Sequence, residues 1–116
     1  KETEYLKELV NSSQNLVLAL GGGTPCYGKN IDMLTGNSNI ALVYLKLSIP
    51  SLTKRLFIER EKRPLISHLK SEAELLEFVG KHLFERVQYY SQAQFTITTD
   101  NKNEQDVLED ILIRLI

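Results

Sequence analysis

Apolar positions follow two different periods along the chain, and segments of the two kinds alternate. Three short runs have the aliphatic or alternating pattern of β-strands, at 16–20, 40–46 and 95–99. Longer segments place apolar residues three or four positions apart, as amphipathic helices do, at 1–10, 50–63, 71–90 and 103–115. Strands separated by helices indicate a parallel sheet with helical crossovers, so the chain is predicted to be an α/β protein.

Capping residues locate the starts of two helices. Ser48 and Pro50 are predicted to open one helix, and Pro64 must end that helix or lie beyond it. Asn103 is predicted to cap the last helix of the chain. Residues 30–36 have the pattern of a short helix or turn.

The longest predicted helix begins at Ser71-Glu-Ala-Glu74, which is a capping box. One apolar stripe is expected along it, made of Leu76, Val79, Leu83, Val87 and Tyr90. Gly80 lies inside this pattern and could divide the helix in two, because glycine is a poor helix former.

Composition limits the class of protein without identifying a function. With 116 residues, 42% of them hydrophobic and 25% charged, the chain fits one domain over 1–116 with a single core. A net charge of -1 gives no general attraction to nucleic acid or to an anionic membrane, and no run approaches the roughly 18 apolar residues of a membrane span. A cytoplasmic location is the default expectation. Cys26, His68 and His82 have no companions at metal-ligand spacing, so no metal site is predicted.

The amino-terminal segment has an unusual pattern. Leu6, Leu9 and Val10 lie on one helical face, yet neither an initiator methionine nor a capping residue precedes that helix. We therefore expect the chain to be a fragment of a longer protein.

Three consecutive glycines, Gly21, Gly22 and Gly23, follow the first predicted strand. In open α/β sheets, ligands bind beyond the carboxyl ends of the strands. Residues without a Cβ let main-chain N–H groups approach a ligand oxygen closely, whereas a tight turn that needs a positive φ would use a single glycine. The triplet favours a binding site at this edge of the sheet.

Residues 23–30 match the phosphate-binding pattern G-x-x-x-x-G-K-[ST] except at the last position. Asn30 stands where a hydroxyl would bind Mg²⁺, and Pro25 removes one N–H group from the loop. A glycine-edged loop with a solvated Lys29 is therefore favoured over a nucleotide cradle.

Five basic residues lie within ten positions and lead into Pro64: Lys54, Arg55, Arg60, Lys62 and Arg63. A solvated helix face is one explanation of such a run. Alternatively, Arg63 stands at a helix-to-loop junction from which a moving loop could deliver a guanidinium to a migrating phosphoryl group. Arg86 lies among apolar neighbours on another helix and cannot meet the adjacent Glu85, so its guanidinium is suited to a carboxylate elsewhere.

Five short motifs in this order resemble the shikimate kinases over essentially the whole chain. They are Leu20-Gly-Gly-Gly-Thr-Pro25, Val43-Tyr-Leu45, Arg63-Pro-Leu-Ile66, Glu85-Arg86 followed by Tyr89-Tyr90, and Thr99-Asp100. The resemblance implies a three-layer α/β/α parallel sheet of the P-loop NTPase, nucleoside-monophosphate-kinase-like type, with the first two strands missing from this chain. It also implies transfer of the γ-phosphoryl group of ATP, with Mg²⁺, to the 3-hydroxyl of shikimate.

The resemblance assigns roles to particular residues. Gly21, Gly22 and Gly23 match the glycine triplet whose backbone contacts shikimate, and Arg86 matches the arginine that pairs with the shikimate carboxylate. Arg63 matches the catalytic arginine of a lid, here around 58–70, which approaches the ATP phosphates.

Looser matches concern the adenine side. Arg55 resembles the residue that stacks on adenine, and Asn101 and Lys102 match the adenine-side loop. Glu2 matches an acidic residue that follows a Phe-Arg pair in the family.

The chain departs from the family pattern in the half that binds nucleotide. The Walker A loop, its Mg²⁺-binding hydroxyl and the aspartate that orients the reacting hydroxyl have no counterpart in the 116 residues, so we expect these residues alone to be inactive. The complete enzyme is expected to be a monomer. Two other functions stay open: a kinase for another polyol acid such as gluconate, and a non-catalytic module that keeps the shikimate site.

The family's sheet order of 2-3-1-4-5 has a consequence for this chain. Strands 3 and 4, here 16–20 and 40–46, would flank the missing strand 1 and leave buried N–H and C=O groups unpaired. We expect these two strands to pair directly or another copy of the chain to fill the gap. The remaining alternative is that the missing part belongs to the natural protein.

Overall fold

The structure, a computed structural model, describes residues 2–12 and 15–115. The helices are α1 (Glu2–Val10), α2 (Asn30–Thr35), α3 (Ile49–Glu59), α4 (Glu72–Tyr90) and α5 (Glu104–Leu115), and the strands are β1 (Val43–Lys46) and β2 (Phe95–Thr98). Single 3-10 turns occupy Thr24–Cys26 and Arg60–Lys62. No helix in the described ranges is both long and apolar enough to cross a membrane.

The two strands form a parallel pair, with Val43 opposite Phe95 and Lys46 opposite Thr98. Helices α3 and α4 make the crossover between them. The expected alternation of strands and helices and the parallel pairing are thus confirmed for this part of the chain. Both carboxyl ends of the strands lie at one edge, where the Thr99 N–H extends the ladder by donating to the Lys46 carbonyl at 2.8 Å.

The main core lies between α3 and α4. Ile66, Leu75 and Val79 are 6%, 0% and 6% exposed, and partly buried side chains of α3 and its neighbours pack around them. These neighbours are Ile49, Leu52, Leu56, Phe57, Leu69 and Phe78. Burial of this cluster fixes the direction of α4 and so the position of its last turns.

The three predicted helix caps are all present. Ser48 Oγ accepts from the Ser51 N–H at 3.4 Å, and Asn103 Oδ1 accepts from the Asp106 N–H at 2.8 Å. At the start of α4, Ser71 Oγ accepts from the Glu74 N–H at 3.2 Å. These bonds satisfy main-chain donors that have no partner within the helix.

Two expectations for α4 are wrong. The helix runs unbroken through Gly80, because a single glycine costs only about 1 kcal/mol and packing against α3 offsets that cost. Leu76 is 43% exposed, and its neighbour Leu75 is the buried residue instead. Leu75 and Val79 are four positions apart and share the face that α3 covers, which the pair Leu75-Leu76 leaves ambiguous in the sequence.

The expected strand at 16–20 is not formed, and the expectation that it pairs directly with 40–46 is wrong. The sheet within the described residues contains only β1 and β2. A groove of about 520 Å³ is lined by Leu16 and Leu18 from one side and by Ile40 and Leu42 from the other. Strands must approach to about 4.8 Å to share a ladder, and a groove of this size between the two segments means that they do not. The alternative that a second copy fills the gap stays a prediction.

One edge of β1 is therefore open in the described part of the chain. The Phe95 N–H donates to the Leu42 carbonyl and the Thr99 N–H to the Lys46 carbonyl, so alternate residues of β1 point their main-chain groups at β2. Val43 and Leu45 then point theirs the opposite way. Val17, across the groove, is 104% exposed.

Candidate functional site

The glycine triplet leads into the 3-10 turn Thr24–Cys26. The Thr24 N–H donates to the Gly21 carbonyl at 3.1 Å, and the Cys26 N–H donates to the Gly23 carbonyl at 3.0 Å. Within the described residues, the only glycine with a positive φ is Gly28, at 53°. A left-handed turn therefore does not explain the triplet, whose residues are all exposed.

Close approach of a side chain explains glycine at position 22. A Cβ on Gly22 would meet Arg86 Nη1 at 2.9 Å, closer than real Cβ contacts come, and the Tyr90 hydroxyl at 3.2 Å, which is a tight contact. A Cβ on Gly23 would lie 3.5 Å from Arg86 Nη2, which is an ordinary contact. The structure thus brings Arg86 directly against Gly22 and Gly23, with Gly21 one residue further away.

Arg86 presents an uncompensated positive charge at this place. It lies on α4 and is half-buried, and no carboxylate of the described residues lies within ion-pair distance of it. Its one protein hydrogen bond there is a long one, from Nη1 to the Tyr90 hydroxyl at 3.4 Å. A guanidinium of this kind keeps donors available for a bidentate anion.

Tyr90 completes the site, although from the sequence it was predicted only as part of the apolar stripe of α4 and of the Tyr89-Tyr90 motif. Its hydroxyl donates to the Gly22 carbonyl at 2.5 Å, and its ring packs against Tyr44 of β1 with the centroids 5.2 Å apart. Burial, and next the neighbouring Tyr90, raise the pKa of Tyr44. The usable signal was the spacing of four from Arg86, which places both side chains on one helix face.

Cys26 lies beside the same carbonyl. Its Sγ is 3.8 Å from the Gly22 oxygen, at the long end of a weak thiol hydrogen bond. Burial raises the pKa of the Cys26 thiol, and the nearby Arg86 opposes that shift. Burial therefore disfavours the thiolate form of Cys26.

Residues 23–30 do not have the chemistry of a nucleotide cradle. Asn30 is fully buried, and its Nδ2 donates to the Thr24 carbonyl at 2.9 Å, so its side chain is used inside the protein. Pro25 has no N–H to offer, and Lys29 is exposed. No group of three or more His, Cys, Asp or Glu is placed to hold a metal ion in the ranges 2–12 and 15–115.

The other predicted site residues lie apart from the glycines. Arg63 is exposed and pairs with Glu59 at 3.5 Å, and Arg55 is exposed on α3. Lys102 Nζ pairs with Asp110 at 2.6 Å. Within the described residues, no hydrogen bond or ion pair joins any of these three cations to the triplet or to Arg86. The side chain of Glu2 lies outside the description.

The segment predicted as a lid, 58–70, is held at two points, Arg60 and Ile66. Ile66 is 6% exposed and belongs to the main core, whereas its neighbour Leu65 is 76% exposed. Arg60 is held over the Phe57 ring at 4.0 Å, and its Nη1 donates to the Phe57 carbonyl at 3.0 Å. Arg63 therefore lies between two anchored residues, Arg60 and Ile66.

A polar contact joins the ends of both strands. Asp100 accepts from Ser48 twice, from Oγ at 2.7 Å and from the N–H at 3.0 Å. Hydrogen bonds from Ser48 and next from Ser51 lower the pKa of Asp100. Asn101, the next residue, has a φ of 58°. The contact ties the start of α3 to the loop that carries Lys102.

Comparisons with known proteins agree on one family. The shikimate kinase family model matches residues 1–116. The chain is 44% identical to a shikimate kinase of Flavobacterium psychrophilum and 45% identical to one of Flavobacterium johnsoniae, in each case over 96% of this chain and 63% of the relative. The crystal structure of a shikimate kinase from Bacteroides thetaiotaomicron superposes with a TM-score of 0.77 at 28% identity, over 97% of this chain and 62% of that one. The chain thus spans less than two thirds of the length of these relatives.

Proposed function

The chain belongs to the shikimate kinase family, and we propose on that premise that it forms the acceptor side of an ATP-dependent shikimate kinase. Shikimate would lie against Gly22 and Gly23 with its carboxylate on Arg86, and its 3-hydroxyl would receive the γ-phosphoryl group. A cytoplasmic location and a monomeric state belong to the proposal through the family resemblance.

One observation carries this proposal: the guanidinium of Arg86 lies against exposed main chain at Gly22 and Gly23 and has no carboxylate partner among the described residues. A half-buried charge without a partner is costly, and a ligand carboxylate would compensate it with two parallel hydrogen bonds. Main-chain N–H groups of the triplet can meet hydroxyl oxygens of the same ligand. The arrangement suits a small, polyhydroxylated monocarboxylic acid.

For the nucleotide side of the site we propose only candidate residues. Arg63 is the candidate for the catalytic, phosphate-contacting arginine, and Arg55 and Lys102 are candidates for ATP contacts. All three side chains are exposed, and an anion would compete with Glu59 for Arg63 and with Asp110 for Lys102. Residues 23–30 do not fit Mg²⁺ or a triphosphate, because Asn30 is buried and Pro25 lacks an N–H. We assign no metal ligand in this chain and expect these 116 residues alone to show no kinase turnover.

Titration calorimetry with shikimate tests the acceptor site. We expect the chain to bind shikimate and Arg86→Lys to bind it about 10- to 100-fold more weakly, since a lysine cannot make the bidentate contact. Arg114→Lys, on the exposed last turn of α5, is the matched control and should bind as the unaltered chain does. No heat with the unaltered chain, or equal affinity in Arg86→Lys, would overturn the proposal.

A pair of glycine variants tests the geometry independently of charge. Gly22→Ala places a methyl group 2.9 Å from Arg86 Nη1 and should displace the guanidinium, with loss of shikimate binding of tenfold or more. Gly80→Ala, in α4, meets nothing within 4 Å and should bind shikimate normally. Equal binding by both variants would contradict the assigned site.

Further titrations separate the alternatives. Heat with gluconate but not with shikimate would identify a kinase for another polyol acid. Binding of shikimate without binding of ATP is the behaviour of a non-catalytic module, whereas turnover of ATP with shikimate would contradict the expected inactivity of these 116 residues.

A further inference from the structure

We propose that Tyr90 is a positioning residue of the acceptor site: it sets the direction of the Gly23 N–H relative to the Arg86 guanidinium. This inference rests on the proposed function, since it says how the two ligand-binding groups are held in one geometry. It is based on the contacts of the Tyr90 side chain, which the proposed function does not by itself assign to a tyrosine.

The Tyr90 hydroxyl both donates and accepts a hydrogen bond. It donates to the Gly22 carbonyl at 2.5 Å and accepts from Arg86 Nη1 at 3.4 Å. A phenol has one proton to donate and lone pairs to accept with, so both bonds can exist together. One oxygen atom therefore touches both halves of the site, which are separated by more than sixty positions in the chain.

The bond to Gly22 controls a donor that Tyr90 never touches. The Gly22 carbonyl and the Gly23 N–H belong to one peptide unit, which is planar and trans, so they point in opposite directions. Drawing the carbonyl toward α4 turns the N–H away from α4. The Gly23 N–H has no acceptor among the described residues, and Gly23 is exposed, so this donor is left for a ligand.

The Tyr90 ring is also held in place by a residue of β1. Its ring lies against Tyr44 of β1, with an angle of 41° between the ring planes, and Tyr44 is half-buried. Aromatic pairs at such separations are favourable beyond the area they bury. The position of the Tyr90 hydroxyl is thus fixed by the sheet as well as by the helix. Its bond to Gly22 aligns the glycine loop with both.

Tyr90→Phe isolates the hydroxyl, because phenylalanine keeps the ring against Tyr44. Tyr89→Phe is the matched control, since the Tyr89 hydroxyl has no hydrogen-bond partner in the described part of the chain. Both variants should unfold at nearly the same temperature as the unaltered protein. Equal unfolding temperatures would exclude a general loss of stability as the cause of any change in the glycine loop.

The first measurement is made on the ligand-free chain by nuclear magnetic resonance. In Tyr90→Phe we expect the carbonyl-carbon resonance of Gly22 and the amide resonance of Gly23 to move, and the Thr24 and Cys26 amides to exchange faster, because their hydrogen bonds close the same loop. Tyr89→Phe should show none of these changes. Unchanged Gly22 and Gly23 resonances in Tyr90→Phe would overturn the proposal whether or not shikimate binds.

The second measurement is shikimate affinity by calorimetry. We expect Tyr90→Phe to bind about five- to tenfold more weakly, the effect of one lost hydrogen bond, and Tyr89→Phe to bind normally. If the loop resonances move but the affinity stays the same, the hydroxyl does not position the ligand donors and the inference is wrong. If the unaltered chain itself gives no heat, the proposed function fails, and the resonance experiment alone decides the loop geometry.

Discussion

Two regions of the molecule have similarly apolar sequences, but the side chains of one are buried and those of the other are exposed. In the packed half, which we define as α3, α4 and the segment around Ile66, the side chains of Leu75 and Val79 are 0% and 6% exposed. At the open edge, defined as residues 15–20 and the edge of β1 that faces away from β2, Leu16, Val17 and Leu18 are 49%, 104% and 46% exposed.

The difference lies in the partner surface rather than in hydrophobicity. Each residue of α4 that is buried meets a side chain of α3 or of the segment around Ile66, and these elements are close in the chain. Residues 15–20 would have to pair with a strand, and a groove of about 520 Å³ lies between them and residues 40–42, which precede β1. An apolar run predicts that a segment gains from burial, and the fold must still supply the surface that covers it.

The largest difference between the two regions should appear when a side chain is truncated. Leu75→Ala removes a fully buried side chain and leaves a cavity, and we expect it to lower the free energy of unfolding by about 2 to 5 kcal/mol. Val17→Ala, at the open edge, is the control and should change it by less than about 0.5 kcal/mol. Urea unfolding followed by circular dichroism measures both. Equal losses in the two variants would show that the regions are packed alike in solution.

A smaller effect, dependent on pH, should appear where α3 joins the loop after β2. Hydrogen bonds from Ser48 hold the pKa of Asp100 below its ordinary value, so ionised Asp100 stabilises the native state above the unfolded pKa of about 4. That stabilisation is lost as the pH falls below 4 toward the folded pKa. Asp100→Asn should therefore be less stable than the unaltered chain at pH 7 and should approach it at about pH 3.

The control for this pH dependence is Asp110→Asn, which changes an exposed carboxylate on α5 that pairs with Lys102. Urea unfolding of the three proteins across pH 3 to 7 gives the comparison. A stability difference between Asp100→Asn and the unaltered chain that does not shrink on acidification would contradict the assigned role of the carboxylate.

Local signals explain which parts of this structure were predictable. The caps at Ser48, Ser71 and Asn103 were correctly predicted, because each depends on residues within three positions. The predicted strand at 16–20 is wrong, because a strand forms only where another strand lies close enough to pair with it. The distance between residues 16–20 and 40–42 is set by tertiary packing.

The site shows the same limit. The sequence indicated a positive charge without a local partner at Arg86 and exposed main chain at the glycine triplet. Only the family resemblance indicated that the two lie together. The contact of Tyr90 with Gly22 was not predicted, because the two residues lie 68 positions apart and the spacing of four from Arg86 indicates only a shared helix face. Gly22 itself is explained by space for Arg86 rather than by a turn.

The smallest effect on stability, and the sharpest test of the open edge, is expected from Val17→Lys. The side chain at position 17 is fully exposed, so the free energy of unfolding measured on dilute protein should change by less than about 0.5 kcal/mol. Self-association should respond instead, since unpaired strand edges beside exposed apolar residues favour pairing between chains and a lysine there opposes it. Sedimentation velocity should show the unaltered chain associating as its concentration rises and Val17→Lys remaining smaller. Lys29→Ala, an exposed change away from the edge, should associate as the unaltered chain does. If Val17→Lys unfolds the dilute protein, residues 15–20 are covered within a single chain, and the contrast between the two regions is not a property of the molecule in solution.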